Sequence, residues 1–101
     1  MTADLVGDHT VILTGPVTLY ESSEVRDILL AALEEGKDLR IDLEATGPWD
    51  IAGMQLLIAT VASGLKAGRR VRLLQVPGVC REVAERSGLH TWLTGVADSF
   101  A

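Results

Sequence analysis

Cysteine, aromatic residues and positive charge are what this sequence has least of, and each shortage excludes a class of protein. Cys80 is the only cysteine in 101 residues. An internal disulfide and a thiolate metal cluster are therefore excluded, and a lone thiol suits a reducing compartment. Aromatic residues make up 4% of the chain, so aliphatic side chains and alanine must build the core. Lys and Arg number 9 against 14 Asp and Glu, a net charge of −5. Such a field repels phosphate backbones and anionic lipid, which argues against nucleic acid or a membrane surface as the main partner. Long apolar runs are missing too. The longest uncharged stretch, Ile51 to Leu65, is interrupted by Gly53, Gln55 and Gly64, and it is shorter than the ~20 residues of a membrane helix. Met1-Thr2-Ala3-Asp4 lacks the basic-then-apolar pattern of a signal peptide. The expectation is a cytoplasmic chain that does not insert into membrane.

What is present is the composition of a globular protein, 48% apolar and 23% charged, at a length suited to one domain over residues 1–101. Thr10 to Thr14 reads as a strand, rich in β-branched residues and stopped by Gly15-Pro16. A shorter strand around Ala3 to Val6 precedes it, with Gly7-Asp8 as a hairpin turn. A helix follows, capped by Ser22 or Ser23. Val25, Ile28, Leu29, Ala32 and Leu33 form one stripe on it, and Gly36 closes it. Leu39 to Leu43 alternates as a strand, broken by Thr46-Gly47-Pro48. Asp50 sits where a helix cap belongs, ahead of a helix from about Ile51 to Lys66. Val71 to Val76 is the next strand. Pro77-Gly78 then opens a long last helix with Val79, Cys80, Val83 and Ala84 inward, and Leu89 to Leu93 adds a turn or an edge strand. The alternation predicts an α/β fold, helices packed on a mixed or parallel sheet of about four strands.

The second helix carries no charge from Ile51 to Leu65. Off its Met54, Leu57, Ile58, Val61, Leu65 stripe lie Ala52, Gly53, Ala59, Thr60 and Ser63. Small neutral side chains of this kind admit another backbone, either a partner's or that of a neighbouring helix in the same domain. Other chemistry finds little support. His9 and His90 have no carboxylate or Cys at metal-ligand spacing and read as surface residues. The phosphate-loop pattern is absent, and the Glu34-Glu35 and Asp42-Glu44 pairs read as solvated charge. Neither cofactor nor metal is called for, and the chain reads as no enzyme.

Ile41-Asp42-Leu43, followed by Trp49-Asp50-Ile51-Ala52-Gly53-Met54-Gln55-Leu56-Leu57, resembles the central signature of STAS domains, the anti-sigma factor antagonist family. That signature is a strand ending in Asp-Leu, a short loop, and Asp-Ser-Ser/Thr-Gly-Leu opening a helix. Leu13 to Thr18 is similar to the family's Leu-x-Gly-x-Leu segment, and Val71 to Leu89 to its last strand and helix. The resemblance implies a STAS-like mixed sheet with helices on one side. It also implies a protein–protein interaction module that binds a kinase-like anti-sigma factor and is switched off by serine phosphorylation. The chain departs from the family at that switch, because Ile51 and Ala52 follow Asp50 and neither has a hydroxyl. This implies a binder without the serine phosphoswitch. The alternative is the subgroup of small STAS proteins that accompany lipid-transport ABC ATPases or chemotaxis-type signalling clusters. The expected partner surface is the loop Thr46 to Asp50 with the start of the second helix. In it Asp50 is cap and contact, Ile51, Ala52 and Gly53 form a flat surface, and Met54 adapts at its edge. Trp49 either plugs the core or serves as an anchor. A homodimer through the uncharged helix is the other use of that face.

Overall fold

A computed structural model describes residues 2–6 and 9–101. The elements are β1 (Thr2–Val6), β2 (Thr10–Val17), a 3₁₀ turn (Leu19–Glu21), α1 (Ser22–Glu34), β3 (Leu39–Trp49), α2 (Ile51–Lys66), β4 (Val71–Leu74), α3 (Gly78–Arg86) and α4 (His90–Val96). The strands form one sheet in the order β1-β2-β3-β4. β1 pairs antiparallel with β2, whereas β2–β3 and β3–β4 are parallel and joined through α1 and α2. The expected hairpin turn at Gly7-Asp8 lies outside the described residues.

Burial alternates along the strands. Val11, Leu13, Leu39, Ile41, Leu43, Val71 and Leu73 are buried against the helices, while Ile12, Arg40, Asp42, Arg72 and Leu74 alternate with them toward the open face. The α1 stripe closes over this sheet through Val25, Leu29, Ala32 and Leu33, as its 3.6-residue spacing requires. Each large aliphatic side chain buried there stabilises the fold by about 1.5–3 kcal/mol.

Several sequence expectations are corrected. β2 continues through Gly15-Pro16 to Val17, and β3 through Thr46-Gly47-Pro48 to Trp49, so the segment expected as a loop is strand. Thr14 pairs with Ala45, Gly15 with Thr46 and Val17 with Trp49, with register shifts between them, and the Gly47-Pro48 peptide bond is cis. Proline is tolerated here because β4 pairs with β3 only as far as Asp42, leaving this part of β3 with an unpaired edge. α1 begins at Ser22 without a serine side-chain cap. The cap is one step earlier, where Thr18 Oγ1 accepts from Tyr20 N and the Glu21 carboxylate accepts from Thr18 N, a reciprocal capping box around the 3₁₀ turn.

α3 is not the last helix, since α4 follows it, and Val79 is exposed on α3 rather than inward. The tail then touches the β4 edge through Leu73–Ala97 and Val76–Phe100 bridges. His9, expected at the surface, is buried. Its φ is 67° and its Nε2 lies 2.6 Å from the Ala32 carbonyl, which ties the start of β2 to the end of α1.

Cys80 is fully buried, with Sγ 3.7 Å from Met54 Sδ, and burial pushes its thiol from the ordinary 9.0 up to about 12. The unfolded thiol ionises first as pH rises. Its contribution is therefore intact below pH 9 and lost between pH 9 and about 12. Over that window the wild type should lose up to ~1.4 kcal/mol per pH unit more than Cys80→Ala. Urea denaturation of both proteins at pH 8 and pH 10.5 measures the difference, and parallel pH profiles would remove the thiol from the account.

Candidate functional site

The far ends of β2 and β3 bring Thr18 and Asp50 side by side. Asp50 has extended backbone angles (φ −136°, ψ −178°), the geometry of a residue about to enter a helix. Its Oδ1 accepts from Gly53 N at 3.0 Å and caps α2, while Oδ2 accepts from Leu19 N at 2.9 Å. One carboxylate thus fixes the start of α2 and the start of the 3₁₀ turn against each other. Ser22 Oγ donates to the Leu19 carbonyl at 2.9 Å and holds the turn from its other end.

This scaffold presents apolar side chains to solvent. Leu19 is 66% and Tyr20 93% exposed, and Ile51, the first residue of α2, is 46% exposed. Next to them, between α1 and α2 with Leu19 in its wall, runs a cleft of about 320 Å³ lined by Leu19, Ser22, Ser23, Arg26, Ala52, Gln55 and Leu56. Large hydrophobics exposed on two segments that one carboxylate holds together suit a protein contact. Neither histidine lies in this cleft, and among the described residues no group of His, Cys, Asp and Glu is placed to hold a metal ion.

The residues singled out in the sequence divide in two. Asp50, Ile51 and Ala52 stand at this surface, Ala52 half-buried in the cleft wall. Trp49, Gly53 and Met54 do not. Trp49 is 7% exposed and its Nε1 donates to Thr46 Oγ1 at 2.9 Å, so it plugs the core. Thr46 in turn donates to the Leu43 carbonyl at 2.6 Å. Met54 is fully buried against Cys80 and cannot adapt to a partner. Gly53 faces inward. A Cβ there would meet the Val17 carbonyl oxygen at 2.3 Å and the Trp49 ring at 2.9 Å. The smallness of Gly53 thus serves the chain's own strand.

α2 is rotated from the expected stripe. Gly53, Met54, Leu57, Thr60 and Gly64 face the core, while Leu65 is exposed. α1 and α3 flank it, yet Ile51, Gln55 and Ala59 remain open. The 3₁₀ turn was missed as part of the site. Its signal was legible as Thr18-Leu19-Tyr20-Glu21, a capping-box spacing around two large side chains.

A mixed sheet covered by helices, with a doubly bonded aspartate opening α2, defines a small α/β domain of STAS type. The chain belongs to the STAS domain family, whose model described as "Mlab, STAS domain" matches residues 1–95. Among solved structures it is similar to the anti-sigma factor antagonist SpoIIAA in its unphosphorylated form (19% identity, TM-score 0.70, covering 99% of this chain and 87% of that one). It is also similar to the Bacillus cell fate determinant SpoIIAA in the phosphorylated form (19%, TM-score 0.69, 99% and 90%). A sulfate transporter family protein from Wolinella succinogenes shares the fold as well (19%, TM-score 0.67, 88% and 74%). No curated protein sequence matches significantly. Among the described residues no helix is long and apolar enough to cross a membrane.

Proposed function

We propose that this domain is a protein-binding module that docks a regulatory ATP-binding partner on the surface made by Leu19, Tyr20, Ile51 and Ala52. The supporting observation is the Asp50 carboxylate, which locks two segments together while leaving their large apolar side chains in solvent. Catalysis is not part of this reading, in which the Asp50 carboxylate serves as cap and brace. By analogy with the anti-sigma factor antagonist that shares the fold, the partner is a kinase-like anti-sigma factor. Membership of the STAS family leaves room for a second reading, an accessory subunit of a lipid-transport ABC ATPase. In either role the domain works in the cytoplasm and without a phosphoswitch at positions 51 and 52.

Affinity capture from the source cells with wild type and with a Tyr20→Asp/Ile51→Asp double variant, read by mass spectrometry, separates the readings. Both side chains are exposed, so the variant should melt within about 4–8 °C of wild type, corresponding to two surface changes within ±0.5 kcal/mol each. Partner recovery should fall at least ~10-fold, the loss of one well-packed apolar anchor. A kinase-like ATPase captured by wild type alone supports the first reading, and an ABC ATPase the second. Equal capture by both proteins would contradict the assigned surface.

A further inference from the structure

The distribution of positive charge has no role in the proposed partner docking. Of the 9 basic residues, Lys37, Arg40, Arg69, Arg70 and Arg72 gather at the starts of β3 and β4. Arg69 is spent on structure, its guanidinium donating to the Leu33 carbonyl at the end of α1. The other four line an open basin of about 680 Å³ together with Asp38, Leu39 and Asp98. Both of these carboxylates are already engaged. Asp98 Oδ1 accepts from Arg72 Nε at 2.7 Å, and Asp38 Oδ1 accepts from the backbone N of Arg70 at 2.8 Å. Arg72 is held further by donating from Nη1 to the Gly95 carbonyl at 2.8 Å. Lys37, Arg40 and the Arg70 side chain make no ion pair among the described residues. Four cations against two carboxylates leave a local excess of two positive charges on a chain of net charge −5.

The register sharpens the point. Arg40 and Arg72 are direct partners across the parallel β3–β4 pair, and both alternate away from the buried Leu39, Ile41, Val71 and Leu73. Strands lie about 4.8 Å apart, and like charges set directly opposite each other destabilise a sheet. Thr10, the neighbour of Arg40 on β2, is uncharged. Asp42, two residues along β3, turns its carboxylate onto Glu44 N at 3.0 Å. Asp98 compensates the charge of Arg72, whereas Arg40 faces it across the strands with no carboxylate of its own among the described residues, so the positive excess falls on Arg40, Arg70 and Lys37.

The lining has no aromatic ring on which a base could stack. It offers guanidinium forks, which match the oxygens of a tetrahedral anion bidentately. A carboxylate is satisfied by one fork, whereas a phosphate has oxygens for two forks and an ammonium together. We propose that this basin binds a phosphate group, either of a free phosphate compound or of a lipid headgroup, with Arg40, Arg70, Arg72 and Lys37 as its donors. The site is separate from the Asp50 surface and stands independently of the partner reading.

The test is an NMR titration with inorganic pyrophosphate at constant ionic strength, following arginine Nε–H and backbone amides. Saturable shifts are expected at Lys37, Arg40, Arg70 and Arg72, with Arg26, Arg81 and Arg86 unmoved. Arg40→Gln and Arg70→Gln should each weaken binding about 10-fold, the loss of a charge-assisted hydrogen bond. Both residues are exposed, so the fold should survive. Removing one of two facing charges should leave the ligand-free melting temperature of Arg40→Gln unchanged or raised. Sedimentation with phosphatidic acid vesicles assigns the source. Pyrophosphate shifts without sedimentation indicate a free phosphate compound, and sedimentation lost in both variants indicates a headgroup. Shifts spread evenly over all arginines, or unaffected by the two substitutions, would overturn the site.

Discussion

Gly53→Ala should be the most damaging single methyl group that can be added to this protein. In an exposed helix the same change is favourable by about 1 kcal/mol, because alanine has the higher helix propensity. Here the new Cβ would sit 2.3 Å from the Val17 carbonyl oxygen, which is backbone and cannot rotate aside, and 2.9 Å from the Trp49 ring. α2 must move off β2, which loosens the Asp50 cap and the Trp49 plug together. The expected loss is about 3 kcal/mol, the upper range for overpacking a core. Urea denaturation should show a lower midpoint with an unchanged slope. Gly95→Ala provides the opposite sign. Nothing lies within 4 Å of a Cβ on Gly95 in α4, so that variant should gain about 0.5 kcal/mol. Equal stability of the Gly53 variant and wild type would mean that α2 does not approach β2 so closely.

Asp50→Ala should have the second largest effect. It removes the acceptor for Gly53 N and the acceptor for Leu19 N at once. A lost helix cap costs about 1 kcal/mol, and a lost hydrogen bond to a charged acceptor about 1.5 kcal/mol, so the sum is about 2–3 kcal/mol. Asp50→Asn separates the two roles. Its amide oxygen can still accept from Gly53 N, but its amide nitrogen would face the Leu19 N–H donor against donor. The asparagine variant should therefore lose about 1 kcal/mol and keep α2 intact while the 3₁₀ turn loosens. Thermal melts order the three proteins, and amide exchange at Leu19 and Tyr20 identifies the freed turn. An Asn variant as unstable as Ala would mean that charge, and not the double acceptor, carries the effect.

What the sequence revealed followed its local periodicities. The α1 stripe, the alternating first half of β3 and the Asp50 cap are short-range patterns, and the structure realises all three. The continuation of β3 through Gly47-Pro48 was not legible, because those residues read as a break and only pairing with the distant β2 strand keeps them extended. The orientation of α2 was hidden for a different reason. A helix apolar on every side has no hydrophobic contrast to fix its rotation. Its buried face is set by where glycine permits contact, at Gly53 against Val17 and at Gly64, where a Cβ would lie 2.5 Å from Val71. The site was half legible for the same reasons. Asp50, Ile51 and Ala52 were legible as the start of α2, whereas Leu19 and Tyr20 are brought beside it by long-range contacts such as the bond from Leu19 N to Asp50. His9 misled because its partner, the Ala32 carbonyl, lies 23 residues away.

The measurement that bears most directly on the account is amide hydrogen exchange of the chain, alone and bound to the protein that the affinity capture recovers. New protection should be confined to Leu19–Ser23 and Ile51–Leu56, with the open face of the sheet and the α3–α4 end unchanged. Protection on the open sheet face or along α4, with Leu19, Tyr20 and Ile51 still exchanging as in the free protein, would contradict the assignment.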